Sequence, residues 1–260
     1  MSNSLVINST KSEVRVALLE NESTVEVYIE RKADRGVVGN IYRGRVVRVL
    51  PGMQAAFVEL GLERTGFLYV NDAVARVPVP ASDEKSETTD DDLLRDSKNR
   101  VVGASRSQPI ANIADVIQQG QEILVQVQKE PIGTKGARLT RHITIPGRNL
   151  VYTPFSEHTG VSLRIEDLEE RERLRLAVED NKIPGTGFIV RTAAEGIEAE
   201  ELQQEARRIE RIWKDIESRG ESGPVPGLVF SDLDVVLRAA RDLFSGDSTS
   251  IYVDTKADYE

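Results

Sequence analysis

The feature that most constrains the fold is a series of short apolar segments between residues 38 and 145, separated by glycine-containing turns. These segments predict five strands and one short helix: Val38–Leu50, Met53–Leu60, Gly66–Val70, the helix Ile113–Gln119, Glu122–Glu130 and Ala137–Ile145. Five strands with a helix between the third and the fourth form the layout of an OB-fold barrel, a small closed sheet that often holds single-stranded nucleic acid. The sequence therefore predicts such a barrel.

Segments of strand character also precede the barrel, at Leu5–Asn8, Val14–Leu19 and Thr24–Glu30, with a turn at Asn21-Glu22. In the third segment Val25, Val27 and Ile29 alternate with other residues. Such alternation predicts a half-buried antiparallel ribbon with these three side chains on one side.

After the barrel the pattern changes to strand, helix, strand and helix, at Asn149–Thr153, Glu166–Glu179, Phe188–Thr192 and Glu198–Arg219. The last helix has an apolar face at helical spacing, formed by Leu202, Ala206, Ile209, Trp213 and Ile216. This spacing predicts that the face is buried and that Trp213 lies in the core. The predicted fold class is therefore α+β with several subdomains.

Two stretches predict interruptions of the regular structure. The run from Gly220 to Pro226 is rich in glycine and proline and predicts a linker. The region from Pro78 to Gln108 is polar, acidic and too poor in apolar residues to order itself by burial, which predicts a mobile loop. Beyond the linker, Asp232 is expected to cap a helix, and a strand is expected at Thr249–Val253. The apolar residues of that helix are Leu233, Val236, Leu237, Ala240 and Phe244.

The composition excludes several classes of protein and site. The chain has no cysteine, which excludes disulfides, thiolate zinc sites and a cysteine nucleophile. Its two histidines, His142 and His158, are too few for a histidine-rich metal site. No apolar run approaches the ~20 residues that cross a bilayer, and the N-terminus does not resemble a secretion signal. We therefore expect a cytoplasmic protein that is not embedded in a membrane.

The net charge of −9 argues at first against nucleic acid, because phosphate recognition needs clustered lysine and arginine. The distribution of charge matters more than the sum. Much of the acid lies between Asp83 and Asp96, whereas residues 31–48 carry six basic residues against one acidic residue. A basic patch can therefore exist on this acidic chain.

Aromatic and basic residues occur together in the predicted barrel. Phe57 and Phe67 fall on neighbouring strands, with Arg43, Arg45 and Arg48 nearby in the sequence. Exposed aromatic rings beside cations can stack nucleic-acid bases, at ~1–3 kcal/mol per base. From spacing alone, however, the favoured alternative is that both phenylalanines belong to the barrel core, because aromatic residues in strands are usually buried.

Two further sets of residues could bind phosphate. Lys129 lies at the end of the fourth predicted strand, and Lys135 lies in the loop PIGTKGAR, whose glycines let a phosphate approach the backbone, although a solvated hairpin turn explains the segment equally well. Arg191 and Thr192 end a predicted strand, and a guanidinium beside a hydroxyl can hold a terminal phosphate. From the residues alone, an ion pair of Arg191 with a nearby glutamate is favoured over phosphate binding.

For catalysis the residues offer no recognisable pattern. Asp254 and Asp258 follow the last predicted strand, but a two-metal nuclease needs several acids around ions ~4 Å apart. We expect both aspartates to lie at the start of a helix instead. There is no phosphate-cradling loop motif or Ser/His/Asp order either.

Four segments together resemble the ribonuclease E/G family, in the same order and at similar spacings: IERKADRGVVGNIYRGRVVRVLPGMQAAFVELGLERTGFL, VQVQKEPIGTKGARLT, GVSLRIE and GFIVRTAAEG. The resemblance implies a split, truncated RNase H-like subdomain at about 1–38 and 220–260. Between its two parts it implies an S1-type OB-fold RNA-binding domain at about 39–141, containing the mobile acidic loop 78–108, and an α/β 5′-sensor at about 142–219.

The resemblance also implies roles for individual residues. The RNA-binding residues that it indicates or supports are Phe57, Phe67, Lys135, Lys129, Arg43 and Arg164. Those indicated for a 5′-monophosphate are Arg191 and Thr192, which match the gripping pair, with Gly147 and Val151 on the backbone side of the pocket. In GVSLRIE the family often has two adjacent arginines; here Leu163 stands in place of the first, which weakens the role of Arg164.

In the family, two catalytic aspartates hold Mg²⁺ and a cysteine pair shares zinc between subunits, and both sets would lie beyond residue 260. The resemblance therefore implies no catalytic or metal-binding residue here, no cofactor for this chain and no RNA cleavage by the chain alone. Magnesium, zinc and oligomerisation are expectations for full-length members of the family.

Two functions follow as hypotheses. The first is the RNA-binding and 5′-monophosphate-sensing portion of an endoribonuclease that cleaves single-stranded RNA in RNA decay and rRNA processing. The second is a freestanding, non-catalytic RNA-binding module that competes with or regulates a full-length nuclease. A third hypothesis, a metal nuclease that uses Asp254 and Asp258, has the least support because the acidic constellation is sparse.

Overall fold

The structure, a computed structural model, describes residues 3–74, 112–133, 135–180, 182–243 and 248–256. The chain divides into two compact units. The first unit comprises Met1–Val37 and Asp232–Glu260, and the second comprises Val38–Ser231. The predicted mobile loop at 78–108, Phe244 and Asp258 lie outside the described residues.

In chain order the described strands are β1 Asn3–Ser9, β2 Glu13–Glu20, β3 Ser23–Arg31, β4 Ile41–Leu50, β5 Ala55–Glu59, β6 Gly66–Tyr69, β7 Glu122–Lys129, β8 Arg138–Thr140, β9 Ile145–Pro146, β10 Leu150–Thr153, β11 Thr159–Val161, β12 Gly187–Val190, β13 Gly227–Phe230 and β14 Ser248–Val253. The described helices are α1 Val70–Ala73, α2 Ile113–Val116, α3 Leu168–Glu179, α4 Ala199–Ser222 and α5 Val235–Leu243. None of them is both long and apolar enough to cross a membrane.

The first unit is a four-stranded sheet in the order β14-β1-β2-β3, with α5 packed on one face. Strands β1, β2 and β3 are antiparallel neighbours, and Asn21 and Glu22 form the predicted turn with positive φ angles of 48° and 66°. The core of this unit consists of Leu5, Ile7, Val14, Val16, Val235, Val236 and Ala239. The ribbon that the sequence predicts is therefore confirmed, with a fourth strand, β14, running parallel to β1.

The prediction that three apolar side chains of β3 form its buried side is wrong. Val25, Val27 and Ile29 are 50%, 57% and 61% exposed. In the sheet Val27 pairs with Ala17 and Ile29 pairs with Arg15, so both lie on the face opposite the side chains that pack against α5. Alternation identified the strand correctly, but it does not reveal which face a helix covers.

The helix after the predicted linker also differs from the expectation. It begins at Val235, and the Asp234 side chain accepts a hydrogen bond from the Leu237 N–H at 3.0 Å, as a capping residue does. The predicted cap, Asp232, instead bonds the N–H of Leu233 at 2.9 Å. The buried face of the helix is formed by Val235, Val236 and Ala239, whereas the apolar side chain of Leu237 is 52% exposed.

The second unit contains the predicted barrel. Its strands follow the order β4-β5-β6-β8-β7, and a pairing of β7 with β4 closes the circle, which fits an OB-fold. The interior side chains are 0–1% exposed: Val46, Ala56, Val58, Leu68, Val125 and Leu139. Gly66 permits this packing, because a Cβ there would lie 2.5 Å from the Leu139 side chain.

A second sheet, in the order β11-β12-β10-β9, follows the barrel and packs against α3 and α4. The predicted apolar face of α4 is buried as expected, and Trp213 is 6% exposed with its ring 5.4 Å from that of Phe155. The predicted linker is shorter than expected, because α4 continues to Ser222 and β13 then pairs with β4. The predicted strand Ala137–Ile145 is divided into β8 and the two-residue strand β9, and the short strands β11 and β13 were not predicted.

Candidate nucleic-acid interface

Phe57 and Phe67 face each other across neighbouring barrel strands. They are direct partners in the antiparallel pairing of β5 with β6, and their ring centroids are 5.3 Å apart in an edge-to-face arrangement. Both side chains are half-buried, whereas the alternating residues Val58 and Leu68 fill the barrel interior. The phenylalanines are therefore on the outer face of the barrel, and the alternative that they form its core is wrong.

Cations lie on both sides of this aromatic pair. Strand pairing places Arg48 on β4 opposite Phe57, Arg138 on β8 beside Phe67, and Lys129 on β7 opposite Arg138. The five residues form one row across the barrel surface, which we call the barrel row: Arg48, Phe57, Phe67, Arg138 and Lys129. The row combines flat apolar rings with positive charge, which is the chemistry that single-stranded nucleic acid requires.

Arg138 was missed from the sequence, although its position is well defined. Its Nε and Nη2 donate hydrogen bonds to Oδ2 of Asp72 at 3.3 and 3.0 Å. Asp72 is only 6% exposed, so the guanidinium of Arg138 is held by a buried carboxylate. The arginine is therefore restricted in orientation within the row, because a partly buried ion pair holds both side chains more than a fully solvated pair does.

Arg43 and Lys135, both predicted to contact RNA, are not part of the barrel row. Arg43 donates to the carbonyl oxygens of Glu221 and Gly223, each at 2.8 Å, and to Glu122 at 2.9 Å. It therefore binds the carbonyl groups at the C-terminal end of α4. Lys135 is exposed in a tight turn, where its backbone exchanges hydrogen bonds with that of Ile132.

Arg191 lies against a short turn between β9 and β10. Its Nη1 donates to the carbonyl oxygens of Gly147 and Arg148 at 2.8 and 3.1 Å, and its backbone N–H donates to the carbonyl of Asn149 at 2.8 Å. We call residues 147–149 the arginine-holding turn. The structure thus brings Gly147 and Arg191 together. That the two residues line one phosphate pocket is what the family resemblance implies, and it stays a prediction.

The arginine-holding turn is itself fixed by α4. Glu205 accepts hydrogen bonds from the backbone N–H and the side-chain Nδ2 of Asn149, at 3.0 and 2.9 Å. Gly147 also lies against the Glu205 carboxylate, so closely that a Cβ there would collide with it. Glu205 was not identified from the sequence, because a contact over 56 positions leaves no local signal.

The remaining predicted residues of this region differ in accessibility. The Thr192 hydroxyl lies 2.8 Å from the hydroxyl of Ser162, a residue that is fully buried. Arg164 is exposed near the same point, and its backbone N–H approaches the Ser162 oxygen at 3.4 Å. Val151 is 1% exposed, so only its backbone in β10 can face a ligand.

The acidic residues give no metal site among the residues that the structure describes, where no three histidine, aspartate or glutamate side chains converge suitably. Asp254 accepts hydrogen bonds from the Asn8 side chain at 2.5 Å and from the Ser9 backbone at 2.9 Å. Its carboxylate thus ties the end of β14 to β1. The described residues therefore do not fit the carboxylate site that Mg²⁺ requires.

Comparison with known proteins gives a consistent family. A model of the Ribonuclease E/G family matches residues 144–260. Ribonuclease G of Salmonella typhimurium (strain SL1344) is 40% identical over 260 residues, which are 100% of this chain and 49% of that protein. Ribonuclease G of Haemophilus influenzae is 42% identical over 252 residues, 97% of this chain and 47% of that protein.

The similarity extends to longer relatives. Ribonuclease E of Haemophilus influenzae is 36% identical over 259 residues, which are 98% of this chain and 25% of that protein. The chain spans about half the length of the ribonuclease G relatives that it matches. These matches cover the barrel as well as the region after it, and the chain therefore belongs to the ribonuclease E/G family.

Proposed function

We propose that this chain is the RNA-recognition portion of a ribonuclease E/G-type endoribonuclease that cleaves single-stranded RNA in RNA decay and rRNA processing. In this proposal the barrel is an S1-type RNA-binding domain, the sheet with α3 and α4 is a 5′-sensor, and the first unit is RNase H-like. The observation that carries the proposal is the barrel row, in which two half-buried rings lie between cations.

The barrel row would bind RNA through two separable contributions. Phe57 and Phe67 stack bases, which every nucleotide offers, so the interaction tolerates sequence variation. Arg48, Arg138 and Lys129 attract the phosphates that connect those bases. Together these contributions favour single-stranded RNA, because bases in a duplex are already stacked on one another.

The preference for a 5′-monophosphate would depend on Arg191 and Thr192. A terminal phosphate carries more negative charge than an internal phosphodiester, and a guanidinium can donate two parallel hydrogen bonds to it. Hydrogen bonds from Arg191 to the arginine-holding turn restrict its side chain before the ligand arrives. Such preorganisation lowers the entropy that binding costs. The proposal assigns no metal to the described residues, and Mg²⁺ is proposed only for the full-length protein.

Fluorescence anisotropy of short single-stranded RNA tests the proposal. The wild-type chain should bind 5′-monophosphate RNA more tightly than 5′-hydroxyl RNA. Phe57→Ala should weaken binding of both RNAs by about 5- to 150-fold, as expected for loss of one stacked base. Arg191→Ala should reduce binding of the monophosphate alone.

Matched variants control for charge and for loss of an exposed aromatic residue. Arg208→Ala removes an exposed arginine from α4, and Tyr252→Ala removes a 59% exposed tyrosine from the first unit. Both should bind as the wild type does. If the wild-type chain bound neither RNA, the RNA-recognition proposal would be wrong; if it bound both RNAs equally, only the sensor assignment would be.

A further inference from the structure

Tyr69 continues the aromatic surface of the barrel beyond the two phenylalanines. It lies two residues after Phe67 on β6, so both side chains are on the same face of the strand. The two ring centroids are 4.4 Å apart, and Phe67 in turn contacts Phe57 at 5.3 Å. The three rings therefore form one continuous edge-to-face series on the outside of the barrel.

Tyr69 is the most exposed ring of this series, since it is 42% exposed while the two phenylalanines are half-buried. A tyrosine in this position leaves apolar ring surface in contact with water, and covering that surface with a flat ligand is favourable. The neighbouring rings support its orientation from the side. Its exposure is thus suited to contact with a ligand.

A fixed cation lies beside the same ring. The guanidinium carbon of Arg138 is 5.2 Å from the centroid of Tyr69, within the range of a cation–π interaction. Arg138 is also held by the buried carboxylate of Asp72 at 3.0 Å. The ring is therefore restricted by Phe67 and Arg138 together, and a restricted ring loses little freedom when it stacks on a base.

We infer that Tyr69 is a third base-stacking residue, which extends the RNA-binding surface beyond the nucleotides bound by Phe57 and Phe67. The inference rests on the proposed RNA-binding function of the barrel. It adds a position at which binding depends on an aromatic ring and not on the phenol hydroxyl. The bound ligand is a single-stranded stretch long enough to reach all three rings.

Anisotropy with 5′-hydroxyl single-stranded RNA tests the inference, because this ligand avoids any contribution from the 5′ end. Tyr69→Ala should weaken binding by about 5- to 150-fold, whereas Tyr69→Phe, which keeps the ring, should bind within about twofold of the wild type. The loss in Tyr69→Ala should become smaller as the RNA is shortened, because a shorter strand no longer reaches the third ring. Phe57→Ala is the reference variant and Tyr252→Ala is the control.

The outcomes distinguish this inference from the proposed function. If Phe57→Ala lost binding but Tyr69→Ala did not, the role of Tyr69 would be wrong while RNA binding by the barrel would stand. If the wild-type chain did not bind RNA, or Phe57→Ala had no effect, the proposed function itself would be contradicted, and the inference with it.

A second variant, Tyr69→Trp, tests the inference without relying on the correct folding of Tyr69→Ala. Tyr69→Trp introduces an exposed indole, and the wild-type protein with its buried Trp213 supplies the background signal. Titration with the same RNA should quench the additional fluorescence of Tyr69→Trp, because a base stacks on the indole. Unchanged emission at RNA concentrations that saturate binding would overturn the inference.

Discussion

The Glu205 carboxylate accepts hydrogen bonds from two groups of Asn149, the backbone N–H at 3.0 Å and the side-chain Nδ2 at 2.9 Å. Asn149 is 2% exposed, so neither donor has ready access to water as a substitute partner. The arginine-holding turn accepts hydrogen bonds from Arg191 on its other side. We therefore expect Glu205 to act on the proposed phosphate pocket through the turn, as a positioning residue.

We predict that Glu205→Gln reduces the preference for 5′-monophosphate RNA. The substitution replaces a charged acceptor with an amide, and hydrogen bonds to charged groups contribute ~1.5–3 kcal/mol. If the substitution weakens binding of the 5′-monophosphate by Arg191 by about 1.4 kcal/mol, the ratio of the dissociation constants for 5′-hydroxyl and 5′-monophosphate RNA falls about tenfold. Binding of 5′-hydroxyl RNA should not change, and anisotropy with the two RNAs measures both quantities.

Glu201→Gln is the matched control for this prediction, because it removes the same charge from an exposed site one turn earlier on α4. It should retain the full preference. A Glu205→Gln protein that discriminates between the two RNAs as the wild type does would contradict the positioning role, even if its thermal stability were lower.

The sequence predicts most of the strands and helices of the fold, but not which strands become neighbours. The barrel strands follow from alternating apolar residues and glycine-rich turns, which are local signals. The barrel row depends on which strands become neighbours. Phe67 pairs with Arg138 in parallel, and no local pattern specifies that pairing.

The candidate site was predicted in part for the same reason. The sequence singles out Phe57 and Phe67 as candidate base-stacking residues. Spacing alone, however, favours the barrel core for them, whereas the structure places them on the outer face of the barrel. Tyr69 had an available signal, because it follows Phe67 by two positions on one strand. Glu205 had none, because its contact with Asn149 depends on how α4 packs against a distant turn.

The cations of the barrel row should determine the salt dependence of RNA binding. For single strands the slope of log K against log salt concentration is about −0.7 for each phosphate neutralised. Lys129→Gln should therefore make the slope less steep by about 0.7, if Lys129 contacts one phosphate. Phe57→Ala should weaken binding at every salt concentration and leave the slope unchanged.

Lys11→Gln, which removes an exposed lysine from the first unit, should change neither the slope nor the affinity. Anisotropy titrations over a range of potassium chloride concentrations provide the slopes. A slope for Lys129→Gln equal to that of the wild type would show that this lysine does not contact phosphate.

The two faces of the sheet in the first unit should differ in their tolerance of substitution. Val16 is fully buried against α5, whereas Val27 is 57% exposed on the opposite face. Val16→Ala should cost about 2 kcal/mol of stability because it leaves a cavity, while Val27→Ala should cost less than about 0.5 kcal/mol. Urea unfolding followed by circular dichroism measures both values. Similar losses for the two variants would mean that the exposed face of β3 is covered in solution.

Glu210 on α4 should make the stability of the chain depend on pH. The residue is 9% exposed, and its Oε1 has no hydrogen-bond partner in the structure. Burial raises the pKa of Glu210. A hydrogen bond with the Ile183 backbone and the positive charges of Lys214 and Arg207 act in the opposite direction, but the net shift is upward. The folded state therefore binds a proton at Glu210 more tightly than the unfolded state does, and this difference favours folding at low pH.

The sign of the effect follows from this direction. The stability contributed by Glu210 is complete below the pKa of an unfolded glutamate and is lost as the pH rises through the higher pKa of the folded state. Glu210→Gln does not titrate, so its melting temperature should rise relative to that of the wild type as the pH increases from about 4 to about 8.

Glu217→Gln, at an exposed position on the same helix, should show no such change with pH, and differences between variant and wild type cancel the titration of all other groups. Thermal unfolding of the three proteins at matched ionic strength measures the effect. If the melting temperatures of Glu210→Gln and the wild type ran parallel across this range, Glu210 would have the same pKa in both states, and its burial would not determine the protonation of the folded chain.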